Sequence, residues 1–296
     1  MNNTFKGYLA AAVGAAAYGL NPLFSLPLYK AGFSPVNVLF YRFIIAAVIV
    51  GIMVKYAGGR LLPGKGEVFP LLSGAAMMII SSITLFYSYK FVDSGVASTL
   101  LFVYPIAVAA IMTLCFREKL KIGTIAGIAL AVPGVVILSL NDSGAPIRWE
   151  GVVLALASAL SYAIYIVMVK VTRLREISAE KISFYTLSIG AVFFLSLFDF
   201  DRNIPFPADK LSWACVILLA LLPAVTAFVL TAKAIHLVGA TPTAIFGGLE
   251  PAVAVLCGIA VFHEPFGWLT AVGVVLVIVS VIIVIVSNSS PQSPTQ

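Results

Sequence analysis

Charge is what this 296-residue sequence has least of. Lysine and arginine number 18 and aspartate and glutamate 12, so about 10% of positions are charged while 61% are apolar. A soluble domain is about 25% charged and roughly 45–50% apolar, and a soluble fold of this size could not cover its surface with so few charges. Disorder is excluded for the opposite reason, since it needs low hydrophobicity and high net charge. Histidine occurs twice, as His236 and His263, near opposite ends of the apolar runs, so the pair cannot share a metal. Cysteine occurs three times, as Cys115, Cys215 and Cys257, each inside an apolar run and at no metal or disulfide spacing; these thiols read as packing. The net charge of +6 is not a nucleic-acid signature, because the basic residues sit at the ends of apolar runs and form no stripe. No catalytic group, metal or cofactor is expected.

What is present is apolar sequence in blocks of membrane-spanning length, roughly 20 residues each. Between Lys6 and Lys30 lie 23 uncharged residues, between Glu67 and Lys90 22, between Asp93 and Arg117 23, and between Lys210 and Lys233 22. Nothing after Glu264 is charged. Three further blocks are less clean: 35–56 contains Arg42, 181–198 is short, and 239–262 contains Glu250. The reading predicts ten helices, at 7–29, 35–56, 68–90, 94–116, 121–140, 150–171, 180–198, 211–233, 239–262 and 265–287. The loops leave no room for a soluble domain. The first block exceeds the apolar core of a signal peptide and no small-residue cleavage site follows Leu28, so it is expected to be retained. Twelve loop Lys and Arg fall on one side and five on the other, which puts both termini in the cytoplasm and the protein in the cytoplasmic (inner) membrane. The uncharged, Ser/Pro-rich tail at 288–296 is expected to be disordered.

The two halves repeat. At an offset of 144, Gly7, Ala11, Ala15 and Tyr18 meet Gly151, Ala155, Ala159 and Tyr162. At an offset of 146, Pro105, Phe116, Glu118, Thr124, Gly127 and Leu130 meet Pro251, Phe262, Glu264, Thr270, Gly273 and Leu276. Five helices per half is an odd number, so the halves (1–140 and 150–287) enter the membrane in opposite senses. The expected fold is all-α and integral to the membrane, ten transmembrane helices as two inverted five-helix repeats. That architecture marks many secondary transporters, with sites near the midplane between the repeats.

The order Tyr104-Pro105, Arg117-Glu118-Lys119-Leu120 and Gly127 in the first half, and Leu249-Glu250-Pro251, Phe262-x-Glu264 and Gly273 in the second, resembles the EamA-type proteins of the drug/metabolite transporter superfamily over nearly the whole chain. Arg42-Phe43 matches a pair that recurs in the second helix of such proteins. The resemblance implies ten helices with both ends inside and a carrier of small metabolites, often an exporter of amino acids or related compounds. It also implies helices 1–4 and 6–9 around a central cavity, with helices 5 and 10 outside. The second half keeps no arginine at the Arg42 position, where Thr186 stands.

An ionisable group inside a span costs several kcal/mol and is a functional candidate by default. Arg42 lies about seven residues, or roughly 10 Å, from the outer helix end. It is a candidate for a substrate carboxylate, which its planar fork fits, or for pairing with Glu250. Glu250, beside Pro251 and Gly247-Gly248, is a candidate for proton coupling, for a substrate amine or for a fixed structural contact. Asn21, beside Pro22, either lines a polar cavity or satisfies the carbonyl that proline frees. Tyr18, Tyr87, Tyr104, Tyr162 and Tyr165 add deep hydroxyls to the substrate-binding candidates. Lys90 and Lys233 read as snorkelling side chains or as gates. Gly123-x-x-x-Gly127 permits close helix packing, here read as intramolecular, and a monomer is favoured over a dimer. Gly14, Gly19, Gly95 and Gly239 are candidates for sliding contacts. Residues 59–65 imitate a phosphate-binding loop, but Gly66 stands where Ser or Thr is needed and no strand precedes it,.

The leading expectation is a secondary carrier in the lipid bilayer, working by alternating access to export a small amphiphilic solute such as an amino acid, coupled to a proton or a counter-solute. A channel, or a non-transporting membrane enzyme or scaffold, is the alternative.

Overall fold

The computed structural model describes residues 3–58, 61–117, 122–139, 148–198, 206–238 and 246–289. The Glu118 motif, the 141–147 connection, Gly239 and the tail from 290 lie outside the described residues. Those described are helical, with no strand among them: α1 (Asn3–Gly19), α2 (Asn21–Lys30), α3 (Pro35–Tyr56), α4 (Val68–Ser88), α5 (Ser94–Leu101), α6 (Tyr104–Phe116), α7 (Ile122–Ser139), α8 (Trp149–Val171), α9 (Ala179–Ser196), α10 (Lys210–Ala220), α11 (Ala227–Val238), α12 (Leu249–Phe262) and α13 (Trp268–Ser289). Among the described residues, six stretches are long and apolar enough to cross a membrane: 3–30, 35–56, 68–88, 94–116, 149–171 and 210–231. Shorter apolar helices cover 122–137, 249–262 and 268–283.

Prolines set the breaks. Pro22 lacks an N–H, which frees the Tyr18 carbonyl one turn earlier. The chain interrupts at Leu20, and the Asn21 amide donates to that carbonyl at 2.9 Å. The single first helix expected from the sequence is therefore two, α1 and α2. Pro105 divides the fourth block into α5 and α6 in the same way. Pro251 frees the Gly247 carbonyl, which accepts the Glu250 N–H at 3.0 Å. Pro223 opens a six-residue wide turn, Leu221–Thr226, between α10 and α11.

The main helix contacts all join one half to the other: α1 with α11, α3 with α9, α4 with α8, α5 with α12, and α7 with α13. Under exchange of the halves α3 and α7 meet their own repeat counterparts and α1–α11 exchanges with α8–α4, while α5 meets α12, the counterpart of α6 at the 146-residue offset. Small residues make the approach close. A Cβ on Gly19 would lie 2.5 Å from the Glu250 carbonyl oxygen, one on Gly95 2.7 Å from Val255, and one on Gly14 3.1 Å from Thr231. Gly123 packs on Ser287 of α13, so that small-residue face is used within the chain. The α7–α13 pair has few contacts with the remaining helices and stands at the edge of the bundle.

Candidate functional site

A cavity forms where α1, α3, α4, α8, α9 and the wide turn converge. Tyr18, Arg42, Tyr165, Thr186, Ala224 and Phe228 are among its lining residues, together with Phe43, Leu187, Met78, Ser82 and Ser183. Arg42 and Thr186, and likewise Phe43 and Leu187, are repeat counterparts at the 144-residue offset and face the same space. The cavity thus lies where equivalent surfaces of the two halves meet, with a guanidinium from one half and a hydroxyl from the other. It is narrow, with about 20 Å³ of free space, room for roughly one water. A metabolite can enter only if the helices part.

Arg42 is 5% exposed. Its guanidinium carbon lies 5.4 Å from the Phe86 ring centre and 5.9 Å from that of Tyr18, within cation–π range. Nη2 donates to the Pro223 carbonyl at 3.4 Å, while Nε is buried without a partner. Among the described residues, no ion pair within 4 Å joins Arg42 to Glu250. The direct Arg42–Glu250 pairing considered from the sequence is therefore not made.

Glu250 opens α12, half-buried, and interacts electrostatically with Tyr18, Tyr104 and Tyr162. Tyr104 and Tyr162 pack edge to face with ring centres 4.8 Å apart, and Tyr162 stacks with Tyr165 at 6.2 Å. Tyr104, Tyr162 and Tyr165 thus form a file of rings that ends at the cavity, where Tyr165 and Tyr18 line the wall. Tyr87 does not line the cavity; its ring lies 5.7 Å below the exposed Lys90 ammonium. Tyr89, two residues on, is the buried one of the two. Asn21 satisfies the carbonyl of Tyr18 and keeps its Oδ1 buried without a partner; Ser25 Oγ, one turn along α2, is in the same condition.

Two polar clasps join the halves at opposite ends of α4. At its start, Lys181 donates to Glu67 at 2.7 Å, and Glu67 also accepts the Gly64 N–H at 2.7 Å. The Lys181 ammonium and that N–H hold the Glu67 carboxyl below the usual range. Beyond its end, Glu264 accepts the Ser94 N–H at 3.0 Å and the Ser94 hydroxyl at 2.8 Å. This places a carboxylate at the N-terminus of α5, where the helix dipole favours it. Asp93 occupies the cap position of α5 without capping it; burial, and then the Glu264 charge, push its carboxyl up to about 6.

Sequence reasoning missed the wide turn, the hydroxyl floor of Ser82, Ser183 and Thr186, and both clasps. Pro223 within an uncharged block was an available signal for the turn. The clasps had none, because their partners are 114 and 170 residues apart.

Comparison with known proteins agrees with the geometry. The chain is 28% identical over 264 residues to the uncharacterized transporter YetK of Bacillus subtilis, covering 85% of this chain and 78% of that one. It is 26% identical over 229 residues to the uncharacterized transporter YvbV of the same organism, covering 74% and 72%. A solved crystal structure superposes with a TM-score of 0.68 at 17% identity over 97% of both chains, a likeness of fold. Residues 5–140 and 149–286 each match the EamA-like transporter family, so this multi-pass membrane protein, with its arginine-bearing cavity between two matching halves, belongs to that family of transporters.

Proposed function

We propose that the protein is a secondary carrier moving a small carboxylate-bearing metabolite, an amino acid or related compound, outward across the cytoplasmic membrane by alternating access. Ten transmembrane helices in two inverted repeats, with both termini in the cytoplasm, would rock about the shared cavity. One observation carries the reading: a guanidinium buried to 5% exposure, with no carboxylate partner among the described residues and an unpartnered Nε, in a cavity built by both halves. A charge held in that condition costs several kcal/mol, and an incoming anion offsets the cost. Arg42 binds the carboxylate, and Tyr18, Tyr165 and Thr186 form the wall beside it. Tyr104 and Tyr162 link the site to Glu250, which serves as the proton-coupling group. The two clasps at opposite ends of α4 act as gates, of which at least one opens at each half-cycle.

The test is counterflow in proteoliposomes loaded with a mixed metabolite pool and read by mass spectrometry. Saturable flux of a carboxylate compound class, lost in Arg42→Gln, is expected. Non-saturating flux, or none from folded protein, overturns the reading.

A further inference from the structure

The wide turn between α10 and α11 has a chemistry of its own. Pro223 has no N–H, so the Leu219 carbonyl loses its usual donor and the ring crowds the preceding turn. The backbone answers with a π-type turn, a feature frequent at functional sites. Within it the Ala227 N–H donates to the carbonyls of Leu222 and Ala224. In an α-helix its acceptor would be the carbonyl four residues back, that of Pro223. That carbonyl instead accepts from Arg42 Nη2, which arrives from α3 in the other half at 3.4 Å. This is long for an N–H···O bond.

The guanidinium is poorly used. Its fork of N–H donors fits the two oxygens of a carboxylate along one edge, yet its partners are neutral, a carbonyl at the end of one long bond and the Tyr18 hydroxyl beside it, and Nε has none. Phe86 and Tyr18 lie within cation–π range of it, and Ala224, the residue after Pro223, shares the cavity wall.

We propose that the Pro223 carbonyl is a placeholder ligand for Arg42: a substrate carboxylate takes the Nε–Nη edge, displaces the carbonyl, and so releases the wide turn to change register. Occupancy of a site carried by the first half is thereby written into a helix of the second half. The ligand class is a planar carboxylate on an apolar body; a neutral amide or an amine of the same shape does not displace the carbonyl. The identity of the ligand as cargo rests on the carrier reading, but the displacement does not.

The experiment is hydrogen–deuterium exchange on the full chain in nanodiscs. The probe is phenylacetate, chosen because Phe43, Phe228 and Met78 line the cavity, with phenylacetamide and phenethylamine as shape-matched controls. Phenylacetate is expected to change exchange severalfold over 219–231, and the controls are not. Arg42→Lys keeps the charge without the fork and is expected to abolish the response. Pro223→Ala keeps the carbonyl and returns an N–H to Leu219, so the turn closes and the Ala227 N–H takes the carbonyl from Arg42. That variant is expected to bind phenylacetate severalfold more tightly with a smaller exchange change. A response to phenylacetamide equal to that of phenylacetate, no response to phenylacetate, or an undiminished response in Arg42→Lys overturns the proposal. Saturable carboxylate flux with a silent 219–231 segment overturns the placeholder and leaves the carrier. A carboxylate response without flux does the reverse.

Discussion

The Ser94–Glu264 clasp permits a stability prediction worked from its parts. Ser94 is 1% exposed, and its N–H and hydroxyl both donate to the Glu264 carboxylate, at 3.0 and 2.8 Å. Hydrogen bonds to a charged group contribute about 1.5–3 kcal/mol each, and a buried donor left alone costs about 1–3 kcal/mol. Polar pairs between membrane helices measure lower, about 0.6 kcal/mol on average and about 1.7 at most. Glu264 is half-buried, which weakens its charge further. Glu264→Ala is therefore expected to cost about 2 kcal/mol. Glu264→Gln retains an acceptor and loses the charge–dipole part, about 0.3–1 kcal/mol. Asp93 supplies the pH dependence. Its carboxyl is raised in the folded state to about 6, so the charged form is disfavoured by folding. Stability is full below the unfolded value of about 3.9 and is lost as pH rises through about 6. Asp93→Asn should then stabilise the protein above pH 6 and leave it unchanged near pH 3. The assay is the denaturant midpoint in mixed micelles at a series of pH values. Glu264→Ala within about 0.5 kcal/mol of the parent, or Gln as damaging as Ala, would refute the clasp energetics. A pH-independent Asp93→Asn effect would refute the raised Asp93 carboxyl.

Three further outcomes follow from the same contacts. Lys181→Met removes the donor that keeps the Glu67 carboxyl low; that stabilisation is present above the unfolded value near 4.3 and vanishes as pH falls through the lower folded value. The melting difference between parent and variant should therefore shrink in acid, and a constant difference would assign Lys181 to packing alone. Gly19→Val pushes a side chain into the Glu250 carbonyl and Val253; overpacking of about 1–3 kcal/mol and loss of flux are expected, measured by midpoint and counterflow. Asn21→Ala leaves the Tyr18 carbonyl without its 2.9 Å donor, an expected cost of about 1 kcal/mol in a membrane protein that Asn21→Gln should restore at most in part.

The long uncharged blocks were legible as helices because a membrane permits little besides a helix there, but the breaks at Pro22 and Pro105 were not read from them: 7–29 and 94–116 were each expected as one helix and each is two. The cavity was legible in one residue. Arg42 inside an apolar run had to face protein rather than lipid, and its repeat counterpart Thr186 shares its cavity. The tyrosines were harder. Tyr87 and Tyr89 stand two apart on one helix end, and only packing decides that Tyr89 is buried while Tyr87 lies under Lys90.

By itself the sequence determined the class of the protein, its helical content and its duplication, because hydropathy, proline and a fixed repeat offset act along the chain and need no partner to be read. The tertiary structure decided what those residues meet. It separated Arg42 from Glu250, turned Asn21 back onto its own helix, brought Lys181 to Glu67 and Ser94 to Glu264, and set the Pro223 carbonyl against the arginine. All but the Asn21 contact are distances across the bundle, and the packing of side chains between helices, which sets such distances, has no periodicity in the sequence.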